Sequence, residues 1–281
     1  MLTIKELQYV DLWANKIPMP GEEYSLNILK EMKKCYELYN QRYKDKSFDI
    51  ILSNGEEVNF EIMSKNLCHM LGIDFTNIKG DYFNRYRKEV FGDSANNFNS
   101  YDLVELILDN MDKVARMDNE PTNQAKAINY YKSSIKCEIF QKLSDFDKFN
   151  FAVIRNARPD DKVSKFLFMP SNEGLTPYFM MGLVKDETPD TSIDTYAVST
   201  LLAPQNPKEY FDGTEAMIPT QLLISDNNQL TKIEATAEEK IQLLTMYQNI
   251  INKYSIPNML NIYGDYENML NEMSKQKTYV K

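Results

Sequence analysis

The chain has 281 residues, of which 43% are hydrophobic and 12% aromatic, so it can bury a core of its own, which argues against wholesale disorder. Its net charge of -9 argues against a protein that coats DNA non-specifically through a basic face, and no run approaches the roughly 18 apolar residues of a membrane helix. Three scattered cysteines, Cys35, Cys68 and Cys137, favour free thiols in a reducing cytoplasm over a disulfide framework or a metal site.

The first half of the sequence predicts helices and one hairpin. Helices are predicted at residues 2–15 and 22–44, and apolar residues recur in the second of them at spacings of three and four. The pair Asn54-Gly55 separates two alternating apolar runs in SFDIILSNGEEVNFEI, and it predicts a β-hairpin because both positions accept positive φ. A short helix closed by Gly72 follows, and then longer helices in NSYDLVELILDNMDKVAR and TNQAKAINYYKSSIKCEIFQKL.

From Phe149 onward the apolar period changes to that of β-strands. Strand-like runs are FNFAVIRNA, SKFLFMP, PYFMMGLVK and DTYAVSTLLA, and residues typical of turns separate them. A fifth candidate is EAMIPTQLLIS, which DNNQ can turn back into LTKIEA. Thr236 is predicted to cap the helix AEEKIQLLTMYQNIINKY, and a second amphipathic helix follows it.

The predicted fold class is α+β. It consists of N-terminal helices and a β-hairpin, then an antiparallel β-meander of about four to six strands, flanked by C-terminal helices. The early hairpin could join the meander in a single sheet.

The order of these elements resembles a known family. The segment HMLGI, His69 to Ile73, follows the hairpin, and YFDGTEAMIPTQLLI follows the meander. This pattern resembles the phage-type subset of the Barnase–EndoU–colicin–RelE-like nucleases, which often carry His-Leu-Leu-Gly-Leu after their first hairpin. The resemblance spans roughly residues 47–226. The helices at both ends lie outside it, so the predicted divisions are a helical segment at 1–46, a nuclease-like α+β domain at 47–230 and a C-terminal helical pair at 231–281.

The resemblance implies a metal-independent ribonuclease of phage or mobile-element origin, without a cofactor, that acts on RNA in phage–host conflict or as a toxin. In such enzymes the RNA 2'-hydroxyl attacks its own phosphate, so the protein supplies a base, an acid and positive charge. His69 is the one histidine and the candidate acid or base. Tyr178 and Ser199 in the meander are the candidate catalytic hydroxyls.

Five further residues are candidates for binding RNA. Arg85 and Lys88 are three apart on a predicted helix and share a face that could clamp a phosphate, and Lys79 belongs to the same basic run. Tyr82 could stack on a base, and Gln221 lies where the last strand could return to the cleft. Each has a plainer interpretation as a solvated or packing residue.

The alternative hypothesis is a non-enzymatic acidic interaction protein. Residues 166–281 carry 15 acidic and 8 basic side chains, a balance that could mimic nucleic acid. The partner would then be a host protein or nucleic-acid-processing complex that a phage-encoded inhibitor occupies. Catalysis predicts His69 exposed in a cleft near Arg85 or Lys88, whereas interaction predicts that it is packed away.

Overall fold

The computed structural model describes residues 22–72, 100–112, 133, 136–156, 161–170, 178–186, 194–203, 210 and 216–254. The chain divides into two compact units, one formed by residues 1–44 and 63–141 and the other by residues 45–62 and 142–281. Neither unit coincides with a predicted segment, because the early hairpin leaves the first half of the chain to join a sheet formed by the second half.

The first unit is helical in its described part. Its α-helices include α1 (Glu22–Arg42), α2 (Leu67–Met70) and α3 (Ser100–Asp109), and a 3-10 turn, Ser64–Asn66, precedes α2. Residues 136–141 are also helical. The predicted helix at 22–44 is confirmed by α1, and its predicted apolar face is buried. The buried residues of that face are Leu29, Met32, Cys35, Tyr36 and Tyr39.

Gly72 ends the short helix α2 as predicted. Its φ is +77°, a left-handed conformation that glycine adopts without a steric penalty, and its N–H donates to the carbonyl of His69 at 3.1 Å. A Cβ at this position would lie 2.8 Å from Cα of Ser133, whose hydroxyl donates to the Gly72 carbonyl at 3.1 Å. Both the backbone conformation and the close approach of Ser133 therefore require glycine.

The second unit is built on one nine-stranded sheet. The strands are β1 (Lys46–Leu52), β2 (Glu57–Glu61), β3 (Ala152–Arg155), β4 (Val163–Pro170), β5 (Tyr178–Lys185), β6 (Thr195–Leu202), β7 (Ala216–Met217), β8 (Pro219–Asp226) and β9 (Gln229–Glu234). Their order in the sheet is β7-β3-β4-β5-β6-β2-β1-β8-β9. A 3-10 helix, Leu143–Lys148, precedes the strand β3, and the helix α4 (Ala237–Tyr254) follows β9.

The predicted fold class, helices and a hairpin followed by an antiparallel meander with flanking helices, is wrong. The structure is dominated by a curled, mixed, nine-stranded sheet. Strands β3 to β6 do pair in sequence as antiparallel neighbours, but β2 pairs with β6 in parallel and carries the hairpin into the middle of the sheet. Alternating apolar residues reveal which face of a strand is buried, but they do not reveal its partner or its direction.

The first hairpin is confirmed, with a turn one residue longer than the sequence predicts. The N–H of Gly55 donates to the carbonyl of Leu52 at 2.9 Å, and the N–H of Leu52 donates to the carbonyl of Glu56 at 2.9 Å. Gly55 has a φ of +82°, whereas Asn54 stays outside the left-handed region and accepts the Glu56 N–H on its side-chain oxygen at 2.9 Å. This turn fixes the backbone of Glu56 at the start of the return strand.

The second hairpin and the last described helix also follow their local sequence. Asn227 and Asn228 have φ values of +45° and +70° in the two-residue turn between β8 and β9, which confirms the predicted reversal at DNNQ. Thr236 caps α4: its hydroxyl accepts the N–H of Glu239 at 3.2 Å, and the Glu239 carboxylate accepts the Thr236 N–H at 2.8 Å. Among the helices that the structure describes, none is both long and apolar enough to cross a lipid bilayer.

Both faces of the sheet contribute to the core of the second unit. On one face the rings of Phe48 and Phe60 stack at 5.3 Å, and Phe146 of the 3-10 helix meets Phe48 edge-on at 5.2 Å. On the other face α4 packs against β3, β4 and β5, and Tyr247 donates its hydroxyl to the Phe168 carbonyl at 2.9 Å. The sheet is curled. β7 pairs with β3 at one end of the strand order and β8 pairs with β1 near the other end. Only one residue separates β7 from β8, so these two parts of the sheet lie close together.

Candidate functional site

Charged side chains from separate strands meet at one end of the sheet, where β3 and β5 end and β4 and β6 begin. Arg155 lies opposite Lys165, Lys165 lies opposite Leu183, and Lys185 lies opposite Tyr196. Directly opposed residues project on the same side of a sheet, and so do residues two apart in one strand. Arg155, Lys165, Lys185 and Tyr196 therefore share one face.

The carboxylate of Glu56 joins two of these cations. Its Oε1 accepts a hydrogen bond from Lys165 Nζ at 2.5 Å, and its Oε2 accepts one from Arg155 Nη2 at 2.9 Å. We call Glu56, Arg155 and Lys165 the Glu56 triad. Its members come from a turn and two strands far apart in the chain, so only the folded sheet brings them together.

The three members of the Glu56 triad differ in exposure. The side chain of Lys165 is 8% exposed, that of Glu56 is 23% exposed, and that of Arg155 is 64% exposed. A buried ammonium group requires a charged partner, because an unpaired charge in the interior is strongly unfavourable. Lys165 is therefore held on Glu56, whereas the exposed Arg155 can exchange its carboxylate partner for another anion at small cost.

The pKa of Glu56 reflects both burial and its two cationic partners. Partial burial raises the pKa of the carboxyl, but the hydrogen bonds and positive charges of Lys165 and Arg155 outweigh burial, and the net pKa is lowered. Glu56 is therefore ionised at neutral pH and can accept a proton.

Tyr196 lies beside the Glu56 triad. The residue is buried, with 6% of its surface exposed, and Nζ of Lys165 lies 5.6 Å from the centroid of its ring. Burial raises the pKa of the phenol, and the carboxylates of Asp194 and Glu56 raise it further against the opposing effect of Arg155. The phenol is therefore protonated at neutral pH and can donate a proton.

The site has the chemical groups of acid–base catalysis on an anion. An ionised carboxylate, a protonated phenol and two cations lie within one cluster, and these are the groups that metal-independent phosphodiester cleavage needs. Within the part of the chain that the structure describes, no three His, Cys, Asp or Glu side chains are grouped in a way that would hold a metal ion.

His69, the histidine predicted to be catalytic, belongs to the first unit. It is half-buried in α2, and its backbone carbonyl accepts a hydrogen bond from Nζ of Lys136 at 2.6 Å. Lys136 is 4% exposed and satisfies a carbonyl at the end of the helix, as lysines near helix C-termini often do. The hydrogen bond from Lys136 thus holds the backbone at His69 and does not involve the imidazole. A catalytic role for the imidazole stays a prediction.

The other predicted residues lie apart from the Glu56 triad or outside the described residues. Ser199 sits at a bulge between β5 and β6, and its hydroxyl donates to the carbonyl of Gly182 at 3.3 Å. Tyr178 begins β5, at the opposite end of that strand from Lys185, and Gln221 lies on β8, which β2 and β1 separate from β6. The binding candidates outside the described residues are Lys79, Tyr82, Arg85 and Lys88.

Sequence reasoning missed the Glu56 triad for a physical reason. Glu56 looks like an ordinary polar turn residue, and Arg155 looks like the exposed end of a strand. Lys165 is the member that the sequence could have indicated. It shares one face of its strand with Leu167 and Met169, so a cation stands at a position where the alternating pattern predicts a buried apolar residue.

Comparisons of the chain with models of known protein families, with curated proteins and with solved structures give no match. The resemblance to the phage-type nucleases therefore stays a prediction, and function is inferred from the chemistry of the site.

Proposed function

We propose that this protein is a metal-independent ribonuclease whose active site is the Glu56 triad together with Tyr196. The observation that supports the proposal is the clustering of a carboxylate, a phenol and two cations on one face of the sheet. The substrate is RNA, and the protein acts in phage–host conflict or as a toxin, as the resemblance to the phage-type nucleases implies.

The proposed reaction is transfer of a phosphodiester to the neighbouring 2'-hydroxyl. Glu56 accepts the proton of the 2'-hydroxyl as its oxygen attacks phosphorus, the bond from phosphorus to the 5'-oxygen breaks, and Tyr196 donates a proton to that oxygen. The products are a 2',3'-cyclic phosphate and a 5'-hydroxyl end. Water then returns the proton from Glu56 to the Tyr196 phenolate.

The two cations have separate roles in this reaction. Arg155 is the exposed partner, so it turns from Glu56 to the incoming phosphate and stabilises the negative charge that develops on it. Lys165 remains beside the carboxylate and keeps it ionised, consistent with the lowered pKa of Glu56.

We place the enzyme in the cytoplasm. The three cysteines, Cys35, Cys68 and Cys137, are buried and form no disulfide with one another, as expected for a protein of a reducing compartment. Cytoplasmic RNA would be accessible to it there.

The test compares the full-length wild type with three variants on total bacterial RNA in excess EDTA. Glu56→Gln removes the proposed base, His69→Ala removes the base predicted from sequence, and Glu234→Gln removes a control carboxylate that is also paired with a lysine, at 2.7 Å on β9. We expect Glu56→Gln to lose roughly 10²–10⁴-fold in cleavage rate, and the other two variants to retain it. The 2',3'-cyclic phosphate ends are counted directly.

Each result has one interpretation, provided that thermal unfolding shows the variants to be folded. If His69→Ala loses RNA cleavage and Glu56→Gln retains it, the general base is His69 in the first unit and not Glu56. If the folded wild type releases no cyclic phosphate from any RNA in the pool, the ribonuclease proposal is wrong.

A further inference from the structure

A third cation continues the line of Arg155 and Lys165 across the sheet. Lys185 lies two residues beyond Leu183, the residue directly opposite Lys165, so it projects on the same face. Directly opposed side chains have Cβ atoms roughly 5 Å apart, and diagonal neighbours are about 7–8 Å apart. The three cations therefore step across the three neighbouring strands β3, β4 and β5.

Lys185 is available to an incoming anion. Its side chain is 53% exposed, and its ion-pair partner Asp194, at 2.6 Å, is 58% exposed. Both partners of this ion pair are more than half exposed, so the pair is weak and a phosphate can replace the carboxylate. The three cations are paired with two carboxylates, those of Glu56 and Asp194.

We propose that Arg155 and Lys185, which flank the buried Lys165, form a phosphate track for single-stranded RNA, in which Arg155 binds the phosphate that is cleaved and Lys185 binds the next one. This inference rests on the proposed ribonuclease function for the identity of the substrate. The RNA is single-stranded because in-line attack by a 2'-hydroxyl requires a backbone that is not held in the A-form duplex. The track binds a strand that carries at least two consecutive phosphates.

The chain offers a closely matched control for Lys185. Lys232 on β9 is 50% exposed and pairs with the carboxylate of Glu234 at 2.7 Å, so the two lysines differ mainly in their position on the sheet. Lys185→Ala and Lys232→Ala remove the same chemical group from equally exposed positions. Lys185→Arg keeps the charge at the track.

The experiment measures binding of a fluorescent 2'-O-methyl RNA decamer, which cannot undergo 2'-hydroxyl attack, by anisotropy over a series of KCl concentrations. Each phosphate contact with a single strand adds about 0.7 to the slope of log Kd against log salt. We expect Lys185→Ala to lower this slope by about 0.7 and weaken binding several-fold, whereas Lys232→Ala and Lys185→Arg retain the wild-type slope. A 2'-O-methyl dinucleotide, with one phosphate, should bind wild type and Lys185→Ala alike.

If Lys185→Ala keeps the wild-type slope, or if Lys232→Ala lowers it equally, the phosphate track is wrong. Cleavage of RNA by the wild type and its loss in Glu56→Gln would still support the proposed function in that case. Failure of the wild type both to cleave RNA and to bind the decamer would overturn the two proposals together.

Discussion

Replacing Glu56 with glutamine should lower the free energy of unfolding by about 2–4 kcal/mol. The substitution leaves Lys165 charged, with a side chain that is 8% exposed and a Nζ that has lost a carboxylate 2.5 Å away. Removal of one partner of a fully buried ion pair costs about 3–5 kcal/mol, and the 23% exposure of Glu56 admits water that reduces this cost. Loss of the ion pair between Glu56 and Arg155 adds at most about 1 kcal/mol to this destabilisation, because the Arg155 side chain is 64% exposed.

The reverse substitution should cost less. Lys165→Met leaves Glu56 with Arg155 and with access to water, so we expect a loss of about 1–2 kcal/mol. Removing both charges together, as Glu56→Gln with Lys165→Met, should bring the protein back to within about 1 kcal/mol of wild type, since neither buried charge remains unpaired. The two substitutions should therefore be strongly coupled.

Urea unfolding of these four proteins, followed by circular dichroism, gives the coupling free energy as a double-mutant cycle. Glu234→Gln is the control, because its exposed ion pair with Lys232 should contribute no measurable stability. If the double variant loses the sum of the two single losses, Glu56 and Lys165 do not act as a pair and the reasoning fails.

Three further predictions concern pH and local backbone structure. Because the folded pKa of Glu56 is lowered, its stabilisation is complete above the pKa of a free glutamate, about 4.3, and is lost as the pH falls below it. Urea unfolding between about pH 5 and pH 3 should thus destabilise wild type more than Glu56→Gln, and parallel curves would contradict this. Gly72→Ala should lower the melting temperature more than Gly55→Ala, because both glycines have positive φ but a Cβ at Gly55 meets no atom within 4 Å; equal losses would contradict the close approach at Gly72. Thr236→Ala should cost about 1 kcal/mol in thermal unfolding by removing one arm of the cap with Glu239, and Thr236→Ser should retain it.

The parts of the fold that could be predicted are those whose cause lies within a few residues. Asn54 and Gly55 determine a turn through one side-chain oxygen and one positive φ, and Asn227 and Asn228 determine another through two positive φ values. Thr236 begins a helix through a bond to a residue three positions away. Each of these is a local interaction that the sequence displays directly.

The arrangement of the sheet could not be predicted because its cause is not local. The parallel pairing of β2 with β6 joins Phe60 to Tyr196 across nearly half the length of the chain, and no short segment of the sequence indicates this pairing. The candidate site could not be predicted for the same reason, because Glu56 contacts Lys165 only when the hairpin has joined the sheet. His69, by contrast, stands out in the sequence because it is the one histidine of the chain.

The energetics of the Glu56 triad bear on why such a cluster is present at all. A buried ion pair contributes little net stability, because its attraction is offset by the cost of removing both charges from water, and apolar residues of similar volume would serve packing equally well. Should the double variant of Glu56 and Lys165 prove as stable as wild type, stability alone would not explain the charges. Under the proposed function, anion binding at the exposed Arg155 and proton transfer at Glu56 would supply the reason that packing does not.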